Sequence, residues 1–263
     1  MKKIQTQFNE SVTDKRQRLI IQERAEEIRI KWAKKGLFDI FEILENECIL
    51  IRNPLKTKEI SGFTTYFSEN FIVLLNSSFT LGHERFSGAH ELGHLILHRD
   101  QLFKESLMNM NDVNEIEATI FAVEFLMPEN GIKEIFFKIV GLEPNQVDYR
   151  HVIRMHQYFK VSYKAMLKRL VYLGLCDENR YEYLEDLCTL INKDLLQEVT
   201  RKEGYLCNLI DVSNAKYVSK EYEEIIRNNY ETGKISFGKL EYLLEFIGKK
   251  PIDFAYEVSE DVD

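Results

Sequence analysis

Residues 90–94 read HELGH, and this pentapeptide constrains the chain more than any other stretch. On an α-helix, positions i and i+4 stand one above the other on the same face. His90 and His94 can therefore grip one metal ion while Glu91, between them, reaches a water bound to it. The flanks favour a helix, because Arg85–His98 (RFSGAHELGHLILH) contains no proline and carries the apolar run Leu95, Ile96, Leu97. The competing reading is a structural helix that happens to carry two histidines.

A catalytic zinc site takes three protein ligands and keeps one position for water. His98 continues the i+4 series, but at a rise of about 1.5 Å per residue it lies about 12 Å along the axis from His90. That leaves it a helix-end residue. The chain also runs on without the glycine-containing turn that precedes a third histidine in the metzincin pattern. A better ligand lies in 111–128 (NDVNEIEATIFAVEFLMP), which reads as a second helix closed by Pro128. Advancing about 100° per residue, Glu115 shares a face with Ala118, Ala122, Phe125 and Leu126. Glu117 falls opposite, near Glu124, as an ordinary solvated side chain. A carboxylate among small apolar residues needs a partner, and the two alanines let another helix come close. The alternative for Glu115 is a first-turn capping residue, since Asp112-x-x-Glu115 resembles a capping box.

Together the two segments resemble the ImmA/IrrE metallopeptidases of bacteria and their mobile elements. The family's second motif runs Glu-x-x-Ala-Asn-x-Phe-Ala, then two apolar residues and Met-Pro. Glu115, Ala118, Phe121, Ala122, Met127 and Pro128 match it, and Thr119 stands where the family usually has Asn or Asp. FIVLLNSSFTLGHERF upstream and FKVSYKAMLKRLVYLGL downstream resemble the family too, so the likeness covers roughly residues 20–175. It implies His90, His94 and Glu115 as metal ligands and Glu91 as the catalytic general base, the set the helical geometry also selects. It implies a zinc endopeptidase, with manganese able to substitute in an oxygen-and-nitrogen site. The implied protein substrate is an XRE-type helix-turn-helix repressor, cleaved to derepress a mobile element or a stress regulon.

The expected fold class is α+β. A zincin-like metallopeptidase core over 1–130 places helices over a small three-stranded sheet. A helical extension with a helix-turn-helix outline follows at 131–175, then an acidic helical region at 176–263. In the core, a helix over 12–35 points Leu19, Ala25, Ile28 and Trp32 inward, and a shorter one follows at 38–46. Strands are expected at Cys48–Arg52, Gly62–Phe67 and Phe71–Leu75, the last two joined by a turn at Ser68-Glu69-Asn70. Gly62–Phe67 is the candidate edge for main-chain pairing with an extended substrate. The metal helix starts near Thr80, and Arg99–Met110 reads as a polar loop. Further on, Arg150–Phe159 and Tyr163–Leu173 form the helix pair, with Ser162 as N-cap and Gly174 as stop. Ser236–Phe246 is the clearest of the later helices. Tyr149, His151 and His156 are unranked candidates for an oxyanion donor.

At 263 residues and 44% hydrophobic, the chain can bury a substantial core. No apolar run approaches the roughly 18 residues of a membrane span, and the first ten residues lack a signal-peptide stretch. A cytoplasmic protein with no membrane partner is expected. Four cysteines without CxxC spacing read as reduced and structural. The net charge of −8 is unevenly spread: 149–175 holds six cations (Arg150, Arg154, Lys160, Lys164, Lys168, Arg169) and no acid, whereas 176–263 holds 20 acids against 11 basic residues. Such segregation suggests docking surfaces outside the cleft. It also carries the rival function, a DNA-binding or toxin–antitoxin-type regulator with a metal site of secondary importance. DNA is the less favoured partner, because Met166, Leu167, Leu170 and Val171 make 163–173 a packing helix.

Overall fold

The computed structural model describes residues 15–67, 69–103, 112–141, 146–189 and 192–256. Helix α1 (Lys15–Ala33) buries Ile21, Ala25, Ile28 and Trp32, at steps of four, three and four residues. Leu19, expected inward, is 58% exposed. Six residues from Ala25 is about 240° around a helix, so Leu19 is out of phase with the stripe and Ile21 takes its place. In α2 (Ile40–Glu45), the Asp39 carboxylate caps the N-terminus by accepting from the Phe41 N–H.

Strands β1 (Ile49–Asn53), β2 (Gly62–Phe67), β3 (Asn70–Asn76) and β4 (Tyr217–Val218) form one sheet in the order β2-β3-β1-β4. β2 and β3 are an antiparallel hairpin, β1 runs parallel to β3, and β4 is antiparallel to β1. The sheet thus has four strands rather than the expected three. A two-residue strand is too short to show a period-2 pattern, and its register is secured elsewhere: the Leu50 N–H donates to Ser219 Oγ at 3.1 Å. Ser68 of the expected turn lies outside the described residues, and Glu69 takes a left-handed φ of 68° there. β2 is an edge strand, as the substrate-pairing expectation requires.

Beneath the sheet runs α3 (Leu81–Leu97), whose N-cap Thr80 accepts from the His83 N–H. Arg99–Leu102 forms a short helix, α4, where a loop was expected. Its cause is apolar anchorage: Leu102 is buried, and the Phe103 ring meets Tyr66 and Phe71 at centroid distances of 4.5 and 5.0 Å. The rest of that expected loop, 104–111, lies outside the described residues. Helix α5 (Asp112–Leu126) then packs against α3 at very short range. A Cβ on Gly93 would lie 3.1 Å from both Cα and O of Ala118. Ile21, Leu50, Val73, Leu92 and Phe121 belong to the core shared by α1, the sheet, α3 and α5.

The remaining helices are α6 (Glu129–Ile139), α7 (Tyr149–Phe159), α8 (Tyr163–Tyr172), α9 (Glu178–Glu185), α10 (Lys193–Lys202), α11 (Lys220–Glu231) and α12 (Phe237–Phe246). α7 ends on Lys160 at a left-handed φ of 52°, Ser162 caps α8, and Gly174 closes it at φ 69°. A second core runs from Val123 to Ile210, so Tyr181, Leu184 and Leu196 pack onto the helix pair without a break at residue 176. α11 and α12 share a small cluster around Ile226, Leu240 and Leu244.

The basic strip is largely neutralised within the molecule. Arg150 pairs with Asp148, Arg154 with Glu203 and Lys164 with Glu185, each at 2.7–2.9 Å. Two of those acids come from the acidic region, so the two charge blocks meet each other. Arg169 is fully buried, 2.8 Å from Glu124, and also donates to the Met127 carbonyl. α8 buries Tyr163, Met166, Leu167 and Leu170 as well, which is the surface a DNA-reading helix would need free. The four cysteines are free thiols. Among the described residues, no helix is long and apolar enough to cross a membrane.

Candidate metal centre

Helical spacing stacks His90 over His94 on α3, and the α3–α5 contact brings Glu115 to them. His90 Nε2 is 3.1 Å from Glu115 Oε2, His94 Nε2 is 3.3 Å from Glu115 Oε1, and the two Nε2 atoms are 3.1 Å apart. Ligand atoms about 2.1 Å from a tetrahedral ion sit about 3.4 Å from one another, so this triangle has the size a zinc-like cation needs. Among the described residues, these are the three His, Cys, Asp or Glu side chains that cluster tightly enough to hold a metal. Hydrogen bonds from both histidines hold the Glu115 carboxyl well below the usual carboxylate range. Burial lowers the His94 imidazole, favouring the neutral ring that metal binding requires. Glu115 meets both histidines although its side chain is 52% exposed, so the metal triangle rather than apolar enclosure accounts for the pairing.

Glu91 is buried, and its Oε2 accepts from the Thr64 hydroxyl at 2.8 Å. Burial pushes its carboxyl up to about 7, opposed by His90 and the Thr64 hydrogen bond. That places a proton acceptor near neutrality beside edge strand β2. Gly62 on that strand stands so close that an added Cβ would sit 3.0 Å from Glu91 Oε1. Thr119 Oγ1 lies 3.3 Å from His90 Nδ1, so the residue that departs from the family motif still meets the first histidine.

Glu117 departs from expectation. Its side chain is 13% exposed, not solvated, with Oε2 at 3.0 Å from His98 Nε2. Its other oxygen accepts from Gln17 Nε2 on α1 at 2.9 Å. Periodicity on α5 alone could not show this, because α1 covers the face that looked free. His98 ends α3 as expected, but it is buried and its Nδ1 is 3.2 Å from His94 Nδ1.

A cleft of about 850 Å³ opens beside the centre, with Glu115 and Thr119 on its wall. Lys164 and Lys168 of the basic strip also line it. Lys58 and Lys193 add two more cations, and Glu115 is the one carboxylate on this wall among the described residues. Tyr149, His151 and His156 do not stand there. His156 is fully buried and donates through Nδ1 to the Val161 carbonyl, while His151 caps α7. His83 does line the cleft, stacked on Phe79 at 4.3 Å. Its place seven residues before His90, two turns along the same face, was the signal in the sequence.

A mixed sheet over a helix with paired histidines, completed by a carboxylate from the next long helix, defines a zincin-like metallopeptidase domain. Residues 47–171 match the family model of the IrrE N-terminal-like domain, peptidase M78. An uncharacterized immunity region protein 2 of Bacillus phage phi105 is 38% identical over 74 residues. That similarity covers 27% of this chain and 47% of the phage protein, so it spans about half of that relative's length.

Proposed function

We propose that the protein is a zinc-dependent endopeptidase that cuts a helix-turn-helix repressor of the XRE type at one site. The observation that carries the reading is the convergence of the His90, His94 and Glu115 ligand atoms within 4.8 Å, with buried Glu91 on the same helix. His90, His94 and Glu115 would hold the ion. When bound, it would supply Lewis acidity toward a peptide carbonyl and water of lowered pKa. Glu91 would take a proton from the attacking water at a carboxylate oxygen and hand it to the departing amine nitrogen. Thr64 fixes that carboxylate, and the open edge of β2 offers main-chain groups to an extended substrate. The apolar wall of the cleft, with Lys58 and Lys193 on it, favours a segment that combines apolar and acidic side chains. A relative whose name places it in a phage immunity region supports repressor control of a mobile element as the setting.

Co-expression with a repressor encoded beside this gene is expected to yield one discrete cut, absent with Glu91→Gln although that variant keeps its zinc. Elemental analysis of wild type purified without chelator should find about one zinc per chain, the three-ligand stoichiometry. Protein free of transition metal, or continued cutting by Glu91→Gln, overturns the proposal.

A further inference from the structure

Behind His94 lies a buried chain of polar groups that the ligand triangle does not explain. His94 Nδ1 is 3.2 Å from His98 Nδ1, His98 Nε2 is 3.0 Å from Glu117 Oε2, and Glu117 Oε1 accepts from Gln17 at 2.9 Å. Both rings are buried. Two facing Nδ1 atoms need one proton between them: two would clash and none would leave two lone pairs opposed. An ionised carboxylate only accepts, so Glu117 draws the His98 proton to Nε2. His98 Nδ1 is then an acceptor; with an ion in the triangle, His94 would give its Nε2 lone pair to the metal in place of the hydrogen bond to Glu115 and donate from Nδ1 to His98.

We infer that His98 and Glu117 are positioning residues that fix the tautomer and ring orientation of His94 for metal binding. The inference rests on His94 being a ligand through Nε2. Carboxylate–histidine–metal contacts of this kind usually have one link between carboxylate and ligand; here a second imidazole is interposed, because Glu117 lies one turn too far to reach His94 itself. Thr119 meets His90 in the simpler way. The arrangement also gives Gln17, in the N-terminal helix, a role in setting the far end of the chain.

The test measures zinc affinity by chelator competition in the full-length protein, together with melting curves of the metal-free variants. His98→Leu removes the acceptor for His94 Nδ1–H and should weaken zinc about 10- to 100-fold, the usual effect of losing such a contact. His98→Asn, whose Oδ1 can stand near the Nδ1 position, should stay within a few-fold of wild type. Glu117→Gln keeps an acceptor without the charge and should weaken zinc about tenfold. Long-range ¹H–¹⁵N spectra of the zinc-loaded wild type should show neutral His98 protonated at Nε2 and His94 at Nδ1. Wild-type affinity in folded His98→Leu, or a proton on His98 Nδ1, overturns the inference alone. If His98→Leu fails to fold, the spectra and the Glu117→Gln affinity decide. A wild type that binds no zinc overturns the metal site itself, and the inference with it.

Discussion

Two glycines in α3 should respond oppositely to the same substitution. Gly→Ala inside a helix gains about 1 kcal/mol from propensity alone. At Gly88 the new methyl would meet side chains alone, Leu44 Cδ1 at 3.3 Å and Ile40 Cγ1 and Leu75 Cδ1 at 3.4 Å, which need give by no more than a few tenths of an ångström. At Gly93 it would meet Ala118 Cα and O at 3.1 Å and Phe121 Cδ1 at 3.2 Å. Backbone cannot rotate away, so α5 must retreat by a few tenths of an ångström. Overpacking of that sort costs about 1–3 kcal/mol. Gly88→Ala should therefore stabilise by about 1 kcal/mol, and Gly93→Ala should lose up to about 2 kcal/mol. Because Glu115 rides on α5 one turn before Ala118, its carboxylate moves with the helix. Metal sites tolerate only about 0.2 Å of ligand displacement, so zinc affinity should fall on the order of tenfold. Denaturant titration of the metal-free proteins gives the first quantity and chelator competition the second. If Gly93→Ala stabilises as Gly88→Ala does and holds zinc unchanged, the close α3–α5 contact does not set the centre.

Arg169→Met should destabilise by about 3–5 kcal/mol, since Glu124 is left buried without its counter-charge. Adding Glu124→Leu should recover most of the loss in the same denaturant assay, and a single-variant cost under about 1 kcal/mol would refute the buried pair's role. Acid should destabilise the fold through His156, whose burial lowers its pKa from 6.5 to about 4. Below pH 6.5 the unfolded chain takes up a proton that the folded chain refuses. Stability present above 6.5 is thus lost progressively down to about 4, roughly 3 kcal/mol in all. His156→Asn, which can still donate to the Val161 carbonyl, should flatten that part of the stability–pH curve, and an unchanged slope would contradict the assignment. Thr119→Val should lower zinc affinity severalfold without unfolding the protein, because His90 loses the hydroxyl beside Nδ1. Unaltered affinity would make that contact incidental.

Much of the centre was legible because helical periodicity is local. The stacking of His90 on His94 and the separate faces of Glu115 and Glu117 follow from spacing, while the choice among the readings they allow leaned on the family resemblance; Thr80, Ser162 and Ser236 mark helix starts through their own side chains. What escaped depends on partners distant in sequence. Glu117 looked solvated because Gln17, 100 residues earlier, covers it. Arg169 looked like a phosphate-binding cation because Glu124 lies on another helix. β4 carries too few residues to announce itself, and Leu19 was misread through a phase error within one helix rather than through any tertiary effect.

The asymmetry of the sheet has a consequence for self-association. One border ends in the two-residue β4, too short to template another strand. The other is the six-residue β2, which has no strand on its outer side among the described residues. Sheets with two usable borders can add copies without limit, whereas a sheet with one can join only a single neighbour. With only the edges of the described residues to use, two copies pairing through β2 would form a closed two-fold pair. In such a pair each molecule would lay its own β2 along the other's and so shut both entrances at once, making concentration itself a brake on the edge that faces Glu91.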